Sequence, residues 1–260
     1  MKERLLALAV GLATLAVVVL GWKLYVEHFD VSKFVLPPPE DVAQAFGELV
    51  TDDRTWEGAR ITTIEIVAGF LLASVVGVVV GTLLAEVPLL DRALTPYVIA
   101  LQVLPKVAII PLLIVWFGFG LSSKIVIAAT FACFPILVGT RAGIRAVDPG
   151  HHDLLAVLRA RRWQRVGFVH LPAALPSILT GMEVGIVLAT IGTIVAEYLT
   201  ANEGLGYLAY QYYNLLQVDT LFAAVALLSL LGFLLHGAVR LLRRLVVPWH
   251  ASVDVGASTL

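Results

Sequence analysis

Four ionisable residues stand inside apolar stretches of this chain: Glu65, Lys106, Glu183 and Glu197. A charge at membrane depth is costly, so each raises the question of a pathway or a helix–helix contact. Glu65 and Glu183 read first as polar contacts between helices or as residues near the headgroups. Lys106 follows Pro105, and broken helices at membrane depth are tolerated where they border protein or a water-filled cavity. Pro105 and Lys106 are therefore candidates for lining a pathway, although snorkelling or an ion pair suits Lys106 equally well. Glu197, in "AEYLTANEGLGYL", stands where it can line a mouth or hold the loop that follows. Glu183 completes the set of pathway candidates.

A second group is basic. Arg141, Arg145, Arg159, Arg161, Arg162 and Arg165 fall between two apolar runs, mostly within "RAVDPGHHDLLAVLRARRWQRVGFVHLPAALPSILTG". Asp148-Pro149 reads as a helix start, with Asp as N-cap and Pro at the first helical position. Leu154, Leu155 and Leu158 are spaced to share one face of that helix. Its arginines gather toward the C-terminus, where the helix dipole favours them. "LPAALP" is expected to stop helical structure before the next apolar run. Two readings remain open on composition alone: a basic loop touching lipid headgroups, or a docking surface for another protein.

Other chemistry is missing from the sequence. It contains no G-x-x-x-x-G-K-[ST] to cradle a nucleotide phosphate, no G-x-S-x-G and no H-E-x-x-H. His151 and His152 are adjacent, so on a helix they point about 100° apart and read as loop residues rather than as a metal pair. The single cysteine, Cys133, rules out an internal disulfide and a cysteine-built zinc site.

The elements that must position these residues are membrane spans. Hydrophobic residues make up 59% of the 260 positions and charged residues only 14%, against about 25% charged in a soluble domain. A bilayer crossing needs roughly 20 apolar residues. Six spans fit: about 5–26, 61–85, 93–117, 122–140, 173–199 and 219–242. They read as one domain over 1–260, with a cytoplasmic segment at 141–172. Pro105 and Pro111 should kink or break the third span, because proline lacks a backbone donor. "MKERLLALAVGLATLAVVVLGW" looks like a signal peptide, but bulky "GWKLYVEHF" follows it instead of a cleavage site, so it reads as an uncleaved span. Gly69, Ala73, Gly77 and Gly81 in the second span are spaced for close helix packing.

Charge placement orients the spans. Lys2, Arg4, Arg92, the six arginines above and Arg240, Arg243 and Arg244 fall on one side. Glu27, Asp30, Glu40, Asp41, Glu48, Asp52, Asp53, Glu57 and Glu203 fall on the other. Positive loops stay in the cytoplasm, which puts both termini and the arginine-rich segment there. On the opposite face, "LPPPEDVAQAFGELV" reads as a turn followed by a short helix with Glu40 and Asp41 in its first turn. A stand-alone secondary transporter or channel predicts an internal repeat and paired charges along a pathway. The sequence shows no repeat and few intramembrane charges.

The basic segment resembles the cytoplasmic signature loop of permeases in binding-protein-dependent ABC importers: Glu-Ala-Ala, then Gly, then Leu-Pro. Counting back from Leu171-Pro172, Asp153 takes the Glu position, Leu154 and Leu155 the two Ala positions, and Arg159 the Gly position. "FVLPPPEDV", "VLPKVAIIPLLIVWFGFGLSSKIVIAATFACFPILVGT", "AEYLTANEGLGYL" and "DTLFAA" are similar to the nitrate/sulfonate/taurine branch, including its permeases for thiamine precursors and riboflavin. The resemblance implies an all-α polytopic fold of the type I importer kind, six transmembrane helices with a coupling helix between spans four and five. It implies a transmembrane subunit that is not an enzyme by itself. ATP and Mg would be bound by two separate ATPase subunits docked at Asp153, Leu154, Leu155, Leu158, Arg159 and Arg162. A second permease copy and an extracytoplasmic binding protein complete the expected partners, with no nucleic acid, in a bacterial inner membrane. The implied solutes are small organic anions or ring compounds: sulfonate, taurine, nitrate, a pyrimidine precursor, riboflavin or an aromatic acid. Leu154, Leu155 and Arg159 are larger than the family's residues. Arg159 lacks glycine's left-handed freedom, so either the loop is one continuous helix or Arg159 makes its own contact with the partner.

Overall fold

The apolar runs form helices because hydrocarbon offers the backbone no hydrogen-bond partners, and a helix satisfies its own. The computed structural model describes residues 2–148, 150, 155, 157–200 and 203–248. In chain order the helices are α1 (Lys2–His28), α2 (Pro39–Thr51), α3 (Asp53–Glu86), α4 (Pro88–Val103), α5 (Lys106–Phe117), α6 (Leu121–Arg145), α7 (Arg162–Arg165), α8 (Leu171–Thr200), α9 (Leu205–Asn214) and α10 (Val218–Val246). Among the described residues, five helices are long and apolar enough to cross a membrane, or six if the bent pair α4–α5 is counted as one span. The chain divides into two compact units, residues 1–61 with 203–230, and residues 62–202 with 231–260.

The first unit holds α1, α2, α9 and the starts of α3 and α10. Only 6% of the apolar window of α1 is buried, which leaves its side chains for lipid. Trp22 of α1 meets Phe222 of α10 with ring centroids 6.0 Å apart. α2 begins as the sequence predicts, with extended Pro38 at its N-cap, Pro39 in the first turn and Glu40 and Asp41 beside it. α3 starts at Asp53, well before the expected 61. The cause is Asp52, whose carboxylate accepts the Arg54 N–H at 3.0 Å and so caps a helix that takes in the polar residues ahead of the apolar run.

In the second unit α6 is central. Ile66 and Ala73 of α3, Ala128, Ala132 and Ile136 of α6, and Ile186 and Ala189 of α8 form one buried cluster. Ile110 and Ile114 of α5 pack with Ile127 and Phe131 of α6 and Ala196 of α8 in another. The small-residue stripe of α3 faces α6. A Cβ on Gly81 would lie 2.7 Å from the Leu137 carbonyl oxygen, and one on Gly77 would lie 2.9 Å from the Ile136 side chain. On α8, a Cβ on Gly181 would lie 2.6 Å from the Pro135 carbonyl oxygen. Backbone approach this close is available only to residues with little or no side chain.

Two proline expectations resolve differently. The third span breaks at Leu104–Pro105, with a 97° bend between α4 and α5. Leu104 is extended (φ −61°, ψ 128°), as the residue before a proline prefers. Pro111 stays inside α5. The second expectation is corrected: "LPAALP" does not stop the helix. α7 passes through a π-helical turn, Val166–His170, directly into α8, and Pro176 lies inside α8. The Leu171 N–H reaches the Val166 carbonyl, five residues back. Such a widened turn shifts the carbonyl that the Pro172 ring would otherwise strike, so the proline costs the helix one backbone donor without ending it.

Candidate docking segment and translocation site

The basic segment opens on its expected cap, Asp148, while Pro149 lies outside the described residues. Asp148 Oδ1 accepts the Gly150 N–H at 2.7 Å, closing the helix start. Gly150, Leu155 and Val157 are helical. Asp153 and Leu154, two of the expected docking residues, lie outside the described residues, as do His151 and His152. The helix ends at Arg159, whose φ of +47° puts it in the left-handed region. The Ala160 N–H then bonds the Leu155 carbonyl at 3.0 Å. This six-to-one bond with a left-handed residue just before its donor is a Schellman ending, where glycine is usual. Of the two expectations for Arg159, the continuous helix is therefore wrong: the loop breaks where the family's glycine would break it.

The leucines of this segment differ in exposure. Leu155 is buried at 8% exposure, whereas Leu158 is 66% and Val157 81% exposed. Leu158 lies in the closing turn, and Leu154, the third leucine of the expected face, lies outside the described residues. Beyond it, Gln164 Oε1 accepts the Arg161 N–H at 2.8 Å and starts α7, which carries Arg162.

At the broken third span, Pro105 is exposed and Lys106 half-buried. The Lys106 ammonium lies 5.3 Å from the Phe134 ring centroid and 5.8 Å from that of Phe131, a cation–π placement over two aromatic faces. Neighbouring Val107 is 55% exposed and Ile110 fully buried.

The other pathway candidates bond to neighbouring helices. Glu183 accepts both of its 3.2 Å bonds from Arg243 of α10, the helix–helix contact that was one reading of it. Glu197 is fully buried and accepts the Thr62 hydroxyl at 2.6 Å. It faces α3 within the helix packing. Glu65 pairs with Lys124 of α6 at 2.8 Å, both side chains sealed from solvent. Sequence reading missed Lys124, although a lone lysine beside an apolar run was a usable signal. It also missed Asp91, which takes Arg141 at 2.7 Å and Arg145 at 2.5 Å, and the contact of His170 Nδ1 with Glu86.

The acidic stretch ahead of the second span carries α2. The Asp41 carboxylate accepts Lys33 at 2.6 Å and holds that ammonium's pKa above its ordinary value. The Glu40 backbone N–H at the helix start, with Lys23, holds the Glu40 carboxyl below its ordinary range.

Residues 60–247 match the family model described as "Binding-protein-dependent transport system inner membrane component". The chain belongs to this family. It is the membrane-spanning permease subunit of an ABC importer and a multi-pass membrane protein. Its relatives include the riboflavin transport system permease protein RibX of Chloroflexus aurantiacus, 35% identical over 94% of this chain and 91% of that protein. The taurine transport system permease protein TauC of Escherichia coli is 29% identical over 97% and 93%. The formylaminopyrimidine transport permease protein ThiX of Halalkalibacterium halodurans is 30% identical over 84% and 86%. Among solved structures, an inward-facing form of the MetNI methionine ABC transporter shares the fold of this permease with a TM-score of 0.67, at 21% identity over 75% of this chain and 99% of that one.

Proposed function

We propose that this permease pairs with a second copy and takes a small organic anion or ring compound from an extracytoplasmic binding protein. Two ATPase subunits dock on the segment 148–165 from the cytoplasm and bind the ATP and Mg. The observation that carries this reading is the built geometry of that segment: an Asp148 cap at its start, a Schellman turn at Arg159 and exposed Val157 and Leu158 set between α6 and α8. A loop that only meets headgroups needs no such fixed geometry. The positive-inside asymmetry puts this segment and both termini in the cytoplasm and α2 outside. The relatives named for riboflavin, taurine and formylaminopyrimidine support the solute class. The broken helix at Pro105–Lys106 borders the pathway, because interrupted backbone at membrane depth needs protein or water beside it.

Docking is tested by Leu158→Asp. A charge placed in a buried contact should cost a few kcal/mol, so the ATPase should be lost from co-purification while the permease still inserts. Undiminished co-purification and transport would reject the docking site. The pathway is tested with Cys133 removed and cysteines placed at Lys106 and Val107. Both should react with a polar thiol reagent to an extent that depends on nucleotide, and a cysteine at lipid-facing Val18 should not. Equal labelling at all three rejects this pathway.

A further inference from the structure

The turn joining α3 to α4 holds both ends of the arginine-rich segment. Glu86 closes α3, Asp91 lies in the first turn of α4, and only Val87 to Leu90 separate them. Asp91 takes Arg141 on Oδ1 and Arg145 on Oδ2; both arginines lie in the last turns of α6, just before Asp148. Its side chain is only 12% exposed, and Thr95 also donates to it, at 3.3 Å. Glu86 contacts Nδ1 of His170, the last residue of the π turn, as the chain re-enters α8. The His170 side chain is 4% exposed. One carboxylate thus grips the entry of the segment and another its exit.

We propose that Glu86 and Asp91 are positioning residues for energy coupling, through which movement of the docked segment is passed to α3 and α4. The inference rests on the docking role given above and adds the route. A carboxylate forked by two arginines is geometrically specific and resists shear, unlike a contact between apolar side chains. α4 has 16 residues, about 24 Å of helix, and leads from Asp91 to the break at Pro105. A displacement imposed at Arg141, Arg145 and His170 therefore reaches the candidate pathway along one element. The π turn at the exit supplies the adjustable piece, since such turns are frequent where helices must shift at functional sites.

The experiment uses the permease–ATPase complex with Cys133→Ala and Val107→Cys as the parent. The readouts are co-purified ATPase, phosphate release from ATP, and the ratio of thiol labelling with and without ATP plus vanadate. No solute is needed. The parent should change its labelling several-fold with nucleotide. Asp91→Asn and Glu86→Gln should keep the ATPase bound and phosphate release within about twofold, while the labelling ratio falls close to one. Asp91→Glu should recover at least half of the parent response, which simple loss of folded protein would not produce. If Asp91→Asn fails to insert, Arg145→Gln, which leaves Arg141 on Asp91, should give a partial loss of the same ratio. A full nucleotide response in Asp91→Asn or Arg145→Gln, and in Glu86→Gln, overturns the proposal and leaves the docking reading intact. A parent that neither holds the ATPase nor responds to nucleotide overturns the docking reading, and this proposal with it.

Discussion

Arg159 shows how far one residue can depart from its relatives without changing the backbone. Its φ of +47° is the conformation that a family glycine would adopt without strain. A side chain there costs roughly 1–2 kcal/mol, because Cβ crowds the carbonyl. Arg159→Gly should therefore stabilise the turn by about 1 kcal/mol. Amide hydrogen exchange at Ala160, whose N–H closes the turn, should slow about fivefold. Exchange that is unchanged or faster would show that the arginine side chain supports the turn by contacts of its own. Lys124 is the opposite case. With Glu65 it is sealed from solvent, and removing one member of such a pair leaves a buried charge. Lys124→Met should cost about 3–5 kcal/mol, and adding Glu65→Gln should recover part of it. Thermal unfolding in detergent measures both, and equal loss in the single and double variants would contradict the pairing.

At the scale of elements, the contact of α6 with α3 and α8 depends on missing side chains. Gly181→Ala puts a Cβ 2.6 Å from the Pro135 carbonyl oxygen. Backbone must then move, at about 1–3 kcal/mol. Nothing lies within 4 Å of a Cβ at Gly21 in α1, so Gly21→Ala should stabilise that helix by roughly 0.5–1 kcal/mol. Unfolding midpoints of the two variants should move in opposite directions, and a parallel shift would show that α8 does not pack on α6 this closely. The π turn before α8 explains why "LPAALP" misleads as a sequence signal. A proline weakens a helix through the donor it lacks and the carbonyl its ring strikes, and the second of these depends on how the preceding turn is wound.

For the whole molecule, the asymmetry of charge across the spans sets the expected encounter with a binding protein. Glu40, Asp41, Asp52 and Asp53 belong to the segment that charge placement assigns to the side opposite the arginines, so a basic patch on the partner would speed association. ATPase stimulation by the binding protein in nanodiscs should then weaken with salt, because exposed charges are screened over about 8 Å at physiological ionic strength. Asp52→Lys with Asp53→Lys should weaken it further at low salt. Stimulation indifferent to salt and to both changes would remove the electrostatic docking while keeping the importer.

The sequence by itself determined what depends on local free energies. Transfer of apolar runs out of water placed the spans, the Leu104–Pro105 step broke the third, Asp148 and Pro38–Pro39 opened their helices, and the signature spacing up to Leu171-Pro172 identified the family. Tertiary structure decided what depends on which helix faces meet. Glu65 finds Lys124, Glu197 turns to Thr62 inside the packing, Glu183 takes Arg243, and Asp91 is shared by Arg141 and Arg145. No spacing along the chain encodes these partners: Arg145 stands 54 residues from Asp91, and Glu197 stands 135 from Thr62. Glu65 meets Lys124, and Glu197 meets Thr62, because small residues let α3, α6 and α8 approach at one register, and in an apolar interior a charge must then bond whatever polar group that register brings to it.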